Sequence, residues 1–412
     1  MRLTVLGGTA SAIGWGVLFV ALVVSPILGS ASSVFALALT LCLTPVLVQP
    51  GALAKLLDAP AQLVFAGVVA VLTTSYAITA REATDVLFFA NFLAMPLSAV
   101  LYLIAFERRG AGTALIVLRL CALGTAVGLG FALYDVFGRG LDRAMGLIGN
   151  PNLMPRIALP LGFAALAGVF VDMGWRRWLY CLAPVAAIAT TFLCGSRGAF
   201  LAIPPMALLA AIFLWQNTAT RAFVTVGALL CVAGAAAGAI YLGPSIFDRF
   251  AGIAQVVGDV LQSGRAGADG STQERLVMYA TGFEAFQRAP WLGWGWANLG
   301  NIAAELNPDV FASQAGTAFM YHSDAVNFAV AGGVVGLAAL AALLLAPVLG
   351  AGRAPRDSFF AARLYICLVL SVGFAIFGIT DSTLGYDAPT TLYAFLTAMV
   401  LGGFRHPTVP TA

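Results

Sequence analysis

What constrains this chain most is a succession of apolar blocks, each about long enough to cross a bilayer and separated by polar connections. A spanning helix needs about 20 apolar residues, because the hydrocarbon core is roughly 30 Å thick and offers backbone groups no water to bond. Twelve helices are expected near residues 11–29, 33–49, 61–79, 86–106, 112–136, 157–172, 178–194, 199–215, 222–242, 325–349, 358–380 and 389–404. Charged residues make up only 9% of the chain and hydrophobic ones 61%, against roughly 25% charged in an ordinary soluble domain. The fold class this predicts is an all-α polytopic membrane protein. The opening stretch, Met1 to Ser33, has the Arg2, apolar core and small residues of a signal peptide. Its apolar core is long for that role and a second block follows at once, so it reads as a first span.

Charge placement sets the expected orientation. With the N-terminus inside, alternate connections hold Arg2, Lys55, Arg108 and Arg109, Arg176 and Arg177, Arg221, Arg353 and Arg356, and Arg405. Every connection on that side is basic, which assigns it and both termini to the cytoplasm. Three regions follow: helices 1–9 over 1–242, a large outward (periplasmic) loop over 243–324, and helices 10–12 with a short cytoplasmic tail over 325–412. The outward side carries Arg81, Arg139, Arg143, Arg156 and Arg197, and the loop adds Arg249, Arg265, Arg275 and Arg288, with no lysine. A guanidinium fork suits bidentate binding of phosphate, whereas long loops escape the charge bias during insertion and their arginines need no ligand.

Several classes are disfavoured. No basic run with interleaved aromatics points to nucleic acid. Cys42, Cys121, Cys181, Cys194, Cys231 and Cys367 lie in or beside apolar segments, without metal-ligand spacing, so neither a disulfide framework nor a zinc site is expected and small-residue packing is the simpler role. The spans are nearly free of ionisable groups, which argues against an ion-coupled transporter. Asn91 is the main polar residue within a span and reads as an interhelical hydrogen-bonding group.

Four outward segments carry candidate chemistry. Gly149-Asn150-Pro151-Asn152 lies between Arg143 and Arg156; Asn-Pro-Asn is also a strong turn, so Asn150 is either a ligand or a turn former. Gly195-Ser196-Arg197-Gly198 joins two spans, and its turn needs the glycines but not the arginine, which at a helix start adds to an anion site. Ser271 and Glu274 fit a capping box opening an amphipathic helix, Glu274 to Gln287, that carries Arg275. Trp291, Trp294 and Trp296 follow it as expected interfacial anchors. Tyr321-His322-Ser323-Asp324 stands where a span begins and holds one of two histidines. Histidine is the side chain best poised to move a proton near neutral pH, and Asp324 or Tyr321 is the candidate to orient it. Asp381, Ser382, Thr383 and Asp387 form the last outward loop, which reads as a solvated turn or a cavity lining, and Arg265, in a Gly-rich segment, is either a substrate clamp or without a role.

The order of these motifs, with about twelve spans and a large outward loop closing on His322-Ser323, resembles the O-antigen ligase and polymerase superfamily. The resemblance covers nearly the whole chain. It implies a GT-C-like topology, residence in a bacterial inner membrane with the site facing the periplasm, and transfer of a glycan from undecaprenyl diphosphate. In the ligase branch the acceptor is lipid A-core, and the length of the chain resembles that branch more than the protein O-glycosyltransferases. It further implies His322 as the catalytic residue, acting on the acceptor hydroxyl. Arg197 and Arg275 would hold the diphosphate; beside them, Arg143, Arg156, Arg265, Asn150, Tyr321 and Asp324 are read from the outward segments as candidate substrate-binding residues. The expected partners are the lipid-linked donor, lipid A-core and membrane lipids; neither a metal nor another cofactor is implied. A polymerase or protein O-glycosyltransferase of the same superfamily, a transporter or lipid flippase, and a scaffold subunit are the competing readings.

Overall fold

The computed structural model describes residues 2–216, 221 and 270–406, and among them the structure is helical without a strand. Ten helices among the described residues are long and apolar enough to cross a membrane. In chain order, α1 to α5 are Gly8–Leu28, Ser30–Val48, Pro60–Thr79, Ala83–Glu107 and Ala111–Gly138. Leu153–Val171, Gly174–Cys194 and Arg197–Trp215 are α6 to α8. The helices Gly270–Arg288 and Leu299–Leu306 are α9 and α10; Asp324–Arg353 and Phe360–Thr380 are α11 and α12. The last, α13, is Asp387–Gly403. The span expected near 222–242, along with Arg249 and Arg265, lies outside the described residues.

The layout differs from a ring of equivalent spans. The α13 helix has only 17 residues, and Ala388 to Gly403 are buried throughout. It packs most closely along α4, where Gly402 admits the Tyr102 carbonyl that a Cβ would meet at 2.6 Å. Together with the almost wholly buried α6, it forms the interior of the bundle among the described residues. Basic residues from three connections meet at one end: Lys55 pairs with Glu107, and Lys55, Arg109 and Arg405 surround the Phe106 ring at 5.9, 4.3 and 5.5 Å.

At the other end, α11 is broken rather than continuous. Gly333 takes φ 61°, ψ −144°, a conformation open to glycine because it has no Cβ. The break frees backbone groups, and the Trp-rich loop after α9 satisfies them: Trp294 N–H and Gly295 N–H donate to Val330 O and Ala331 O, both at 2.9 Å, while Val334 N–H donates to Pro290 O at 2.7 Å. The tryptophans therefore divide. Trp291 is exposed, Trp294 bonds Ala285 O through its indole N–H at 2.9 Å, and Trp296 is buried edge-on to Phe92 and Phe328, at 5.2 Å from each. The expectation of three interfacial anchors is corrected for Trp296: it is a core residue, and aromatic edge contacts of this kind contribute about 0.5–1.5 kcal/mol each beyond their buried area.

Candidate functional site

The site is organised by the first turn of α11. A helix start leaves its first N–H groups unpaired and favours carboxylates, yet here the turn bonds outward to two loops. Asp324, buried, accepts from Thr383 N–H at 2.7 Å and Leu384 N–H at 3.0 Å. Asn327, fully buried, accepts from Tyr321 N–H at 2.8 Å and donates to Ser382 Oγ at 2.7 Å. Ser323 Oγ donates to Gly378 O at 3.1 Å. The loop before α11 and the loop between α12 and α13 are thereby held in one register.

That register presents His322. It is the one described non-glycine residue with positive φ, at 52°, a conformation that costs about 1–3 kcal/mol and persists where the surrounding structure over-determines the backbone, as it often does at active sites. The Tyr279 hydroxyl of α9 donates to His322 O at 3.0 Å and lies 3.3 Å from Ile379 O. Burial raises the Tyr279 hydroxyl above its usual range, so it remains a neutral donor; the nearby charge of Arg275 opposes that rise.

The imidazole meets a buried ion pair. His322 Nδ1 lies 2.6 Å from Asp381 Oδ1, with the His side chain 46% exposed and the Asp 8%. Asp381 Oδ2 accepts from Arg156, which also donates to Ser382 O at 3.0 Å. Burial alone would raise the Asp381 carboxyl, but the His322 hydrogen bond and the Arg156 charge outweigh it and hold the group well below the usual carboxylate range. An ionised Asp381 fixes the Nδ1–H tautomer, which leaves the lone pair on Nε2. This is the arrangement that orients and strengthens a general base. His322, Arg156 and Asp381 line a cavity of about 520 Å³, together with Asn91, Asn150, Asn152, Ser382 and Asp387.

The candidate residues thus separate by position. His322, Arg156 and Asn150 share the cavity. Arg143 donates to Cys194 O at 2.8 Å and reaches Gly195 O and Asn152 Oδ1 at 3.3 and 3.4 Å, so it joins the end of α7 to the Asn-Pro-Asn turn. Arg197, exposed at the start of α8, is not part of the cavity wall. Its neighbour Gly198 abuts Thr380, where a Cβ would meet Oγ1 at 2.4 Å, so the turn lies against the residue preceding Asp381. Arg275 stands one turn before Tyr279 on α9, half-buried. Tyr321 is buried against Phe319 at 5.0 Å. The imidazole's partner is Asp381; Asp324 and Tyr321, the expected orienting residues, are committed to holding the loops.

Asp381 was legible only as one acidic residue in a short polar loop, 59 positions from His322. Tyr279 and Asn327 gave no signal beyond their polarity. Asn91 belongs to the cavity wall, and among the described residues its side chain makes no bond between spans.

A strained, half-exposed histidine backed by a buried carboxylate, opening on a polar cavity among apolar spans, defines a class: a polytopic helical membrane protein with a polar site at one end of its bundle. Residues 182–341 match the family model described as O-antigen ligase, a stretch that includes Arg197, Arg275 and His322. The match supports membership of the O-antigen ligase superfamily, whose members are glycosyltransferase-like enzymes. No curated protein matches the chain.

Proposed function

We propose that the protein is the ligase type of this superfamily, transferring a glycan from undecaprenyl diphosphate to a sugar hydroxyl of lipid A-core at the periplasmic face of the inner membrane. The observation that carries the reading is the His322–Asp381 contact at 2.6 Å, beside a polar cavity. The acceptor hydroxyl attacks the anomeric carbon of the donor from the face opposite the diphosphate. A new glycosidic bond forms as the bond to the lipid diphosphate breaks, with inversion. His322 Nε2 takes the hydroxyl proton, while Asp381 stabilises the imidazolium that results. Charge grows on the departing diphosphate, and Arg275 and Arg197 are the groups proposed to meet it. Fixed cations there favour the transition state over the ground state.

The orientation rests on the positive-inside rule: the basic connections fall on the side away from His322. The test is transfer of a defined glycan from its undecaprenyl diphosphate by the purified protein in proteoliposomes, with and without lipid A-core. Glycan joined to lipid A-core, and no product in its absence, is the expected result. Lengthening of the lipid-linked glycan itself assigns the chain to the polymerases, and flux without a new bond removes the enzymatic reading.

A further inference from the structure

Phe88, Thr317 and Ala318 line the cavity beside His322 and also a second cavity of about 940 Å³. The second room is lined by Arg81, Glu82, Asp85 and Glu305 and by Asn301, whose amide donates to Asn298 Oδ1 at 3.4 Å and accepts from Gly316 N–H at 2.8 Å. The charges in the two rooms are not arranged for an anion. Arg156 is paired with Asp381, and Arg81 with Glu305 at 2.9 Å. Asp387, Glu82 and Asp85 have no ion-pair partner among the described residues. Hydrogen-bonding capacity remains nevertheless. Asn91 contributes an amide to the first wall, and Arg156, 4% exposed, keeps a buried Nε without a partner. Phe88 adds aromatic surface. Amides, carboxylates and rings without a surplus cation suit polyhydroxylated, uncharged rings. A diphosphate is suited by the opposite charge.

We infer that the two cavities form one groove for the uncharged sugar units of the acceptor, running from His322 past the Thr317–Ala318 strap to Asn301. This deepens the transferase reading and rests on it for the word acceptor. Displacement in line requires the attacking hydroxyl to approach from the side away from the leaving group. Arg275, which belongs to α9 behind the His322 carbonyl and not to either cavity, marks the leaving-group side. The groove then selects against acidic sugars through the carboxylates of its outer room.

The test is direct binding to the full chain in nanodiscs, read by saturation-transfer NMR. The probes are the neutral trisaccharides chitotriose, maltotriose and mannotriose, with trigalacturonate as an acidic counterpart of equal length. At least one neutral probe is expected to bind, with trigalacturonate at least about tenfold weaker. Ala304→Trp, which fills the outer room from α10, lowers the neutral affinity by more than about tenfold while helix content by circular dichroism is unchanged. Glu305→Lys, at an exposed position, raises trigalacturonate binding. Binding of no neutral probe, equal binding of the acidic one, or indifference to Ala304→Trp each overturns the groove. These measurements need no turnover, so they stand if transfer to lipid A-core fails. In the transfer assay Ala304→Trp is expected to raise KM for the acceptor and leave that for the lipid-linked donor unchanged. A rise for the donor alone overturns the acceptor assignment.

Discussion

At the scale of single residues, the imidazole and its carboxylate have separable consequences. His322→Ala removes the proposed base, and transfer is expected to fall by about 10²–10⁴, the usual worth of a positioned acid–base group. Asp381→Asn leaves a hydrogen-bond partner but favours the wrong tautomer and strands Arg156 as a buried cation. Breaking a buried pair in this way costs about 3–5 kcal/mol, so the variant should lose both activity and thermal stability, whereas His322→Ala loses activity chiefly. The pH sign follows from the depressed Asp381 carboxyl. Its contribution is fully present above the unfolded carboxylate value of about 3.9 and is lost as pH falls through the lower folded value. The stability gap between wild type and Asp381→Asn is thus expected to persist from neutrality to about pH 5 and to close only in stronger acid. Thermal melts at a series of pH values read this; a gap that closes between pH 7 and 6 contradicts the assignment. Sequence reasoning reached His322, Arg156 and Asn150, because each is an unusual polar residue at the end of an oily block. It did not reach the Asp381 partnership, since Asp324 is nearer in the chain. Proximity along the chain and proximity in the fold diverge wherever a helix start sends its neighbours to opposite sides.

At the scale of elements, the position of the site depends on a break in α11. Gly333 stands nine residues after Asp324, and the loop from Pro290 to Gly295 bonds into the break. A Cβ at Gly333 would lie 2.5 Å from Pro290 O and from the Trp291 carbonyl carbon, besides requiring a left-handed backbone. Gly333→Ala is therefore expected to cost at least about 1–3 kcal/mol. It should also reduce transfer, because the same loop tethers α9, and α9 carries Tyr279 against His322. The contrasting substitution is Gly67→Ala in α3, where nothing lies within 4 Å of the added Cβ. A melting temperature for Gly333→Ala no lower than that of Gly67→Ala would contradict the account. The apolar blocks were legible because the bilayer imposes their length. The break was not, since two glycines within a span are commonplace and their bonding partners lie about 40 residues upstream.

At the scale of the whole molecule, the spans are not equivalent: α6 and α13 are interior, and the polar end of that interior is where the loops carrying Asn150, His322 and Asp381 converge. A hydropathy pattern counts spans but does not order them around a centre, which is why the buried role of α13 was not readable beforehand. The same convergence decides how charge is handled in the proposed reaction. Among the described residues, the Arg275 guanidinium has no hydrogen-bond or ion-pair partner, so its charge is available to a ligand, unlike that of Arg156, which is spent on Asp381. Removing a fixed cation that meets charge only as it develops costs about 10²–10³ in kcat. Arg275→Gln is expected to show that loss with a smaller change in donor KM, and Arg275→Lys to recover part of it, since an ammonium supplies the charge without the bidentate fork. If arginines carry the diphosphate, transfer by the wild type should persist in EDTA at an undiminished rate. Loss of transfer in EDTA that magnesium restores would assign the leaving group to a divalent ion, and Arg275→Gln would then be expected to alter affinity for the donor more than the rate of its consumption.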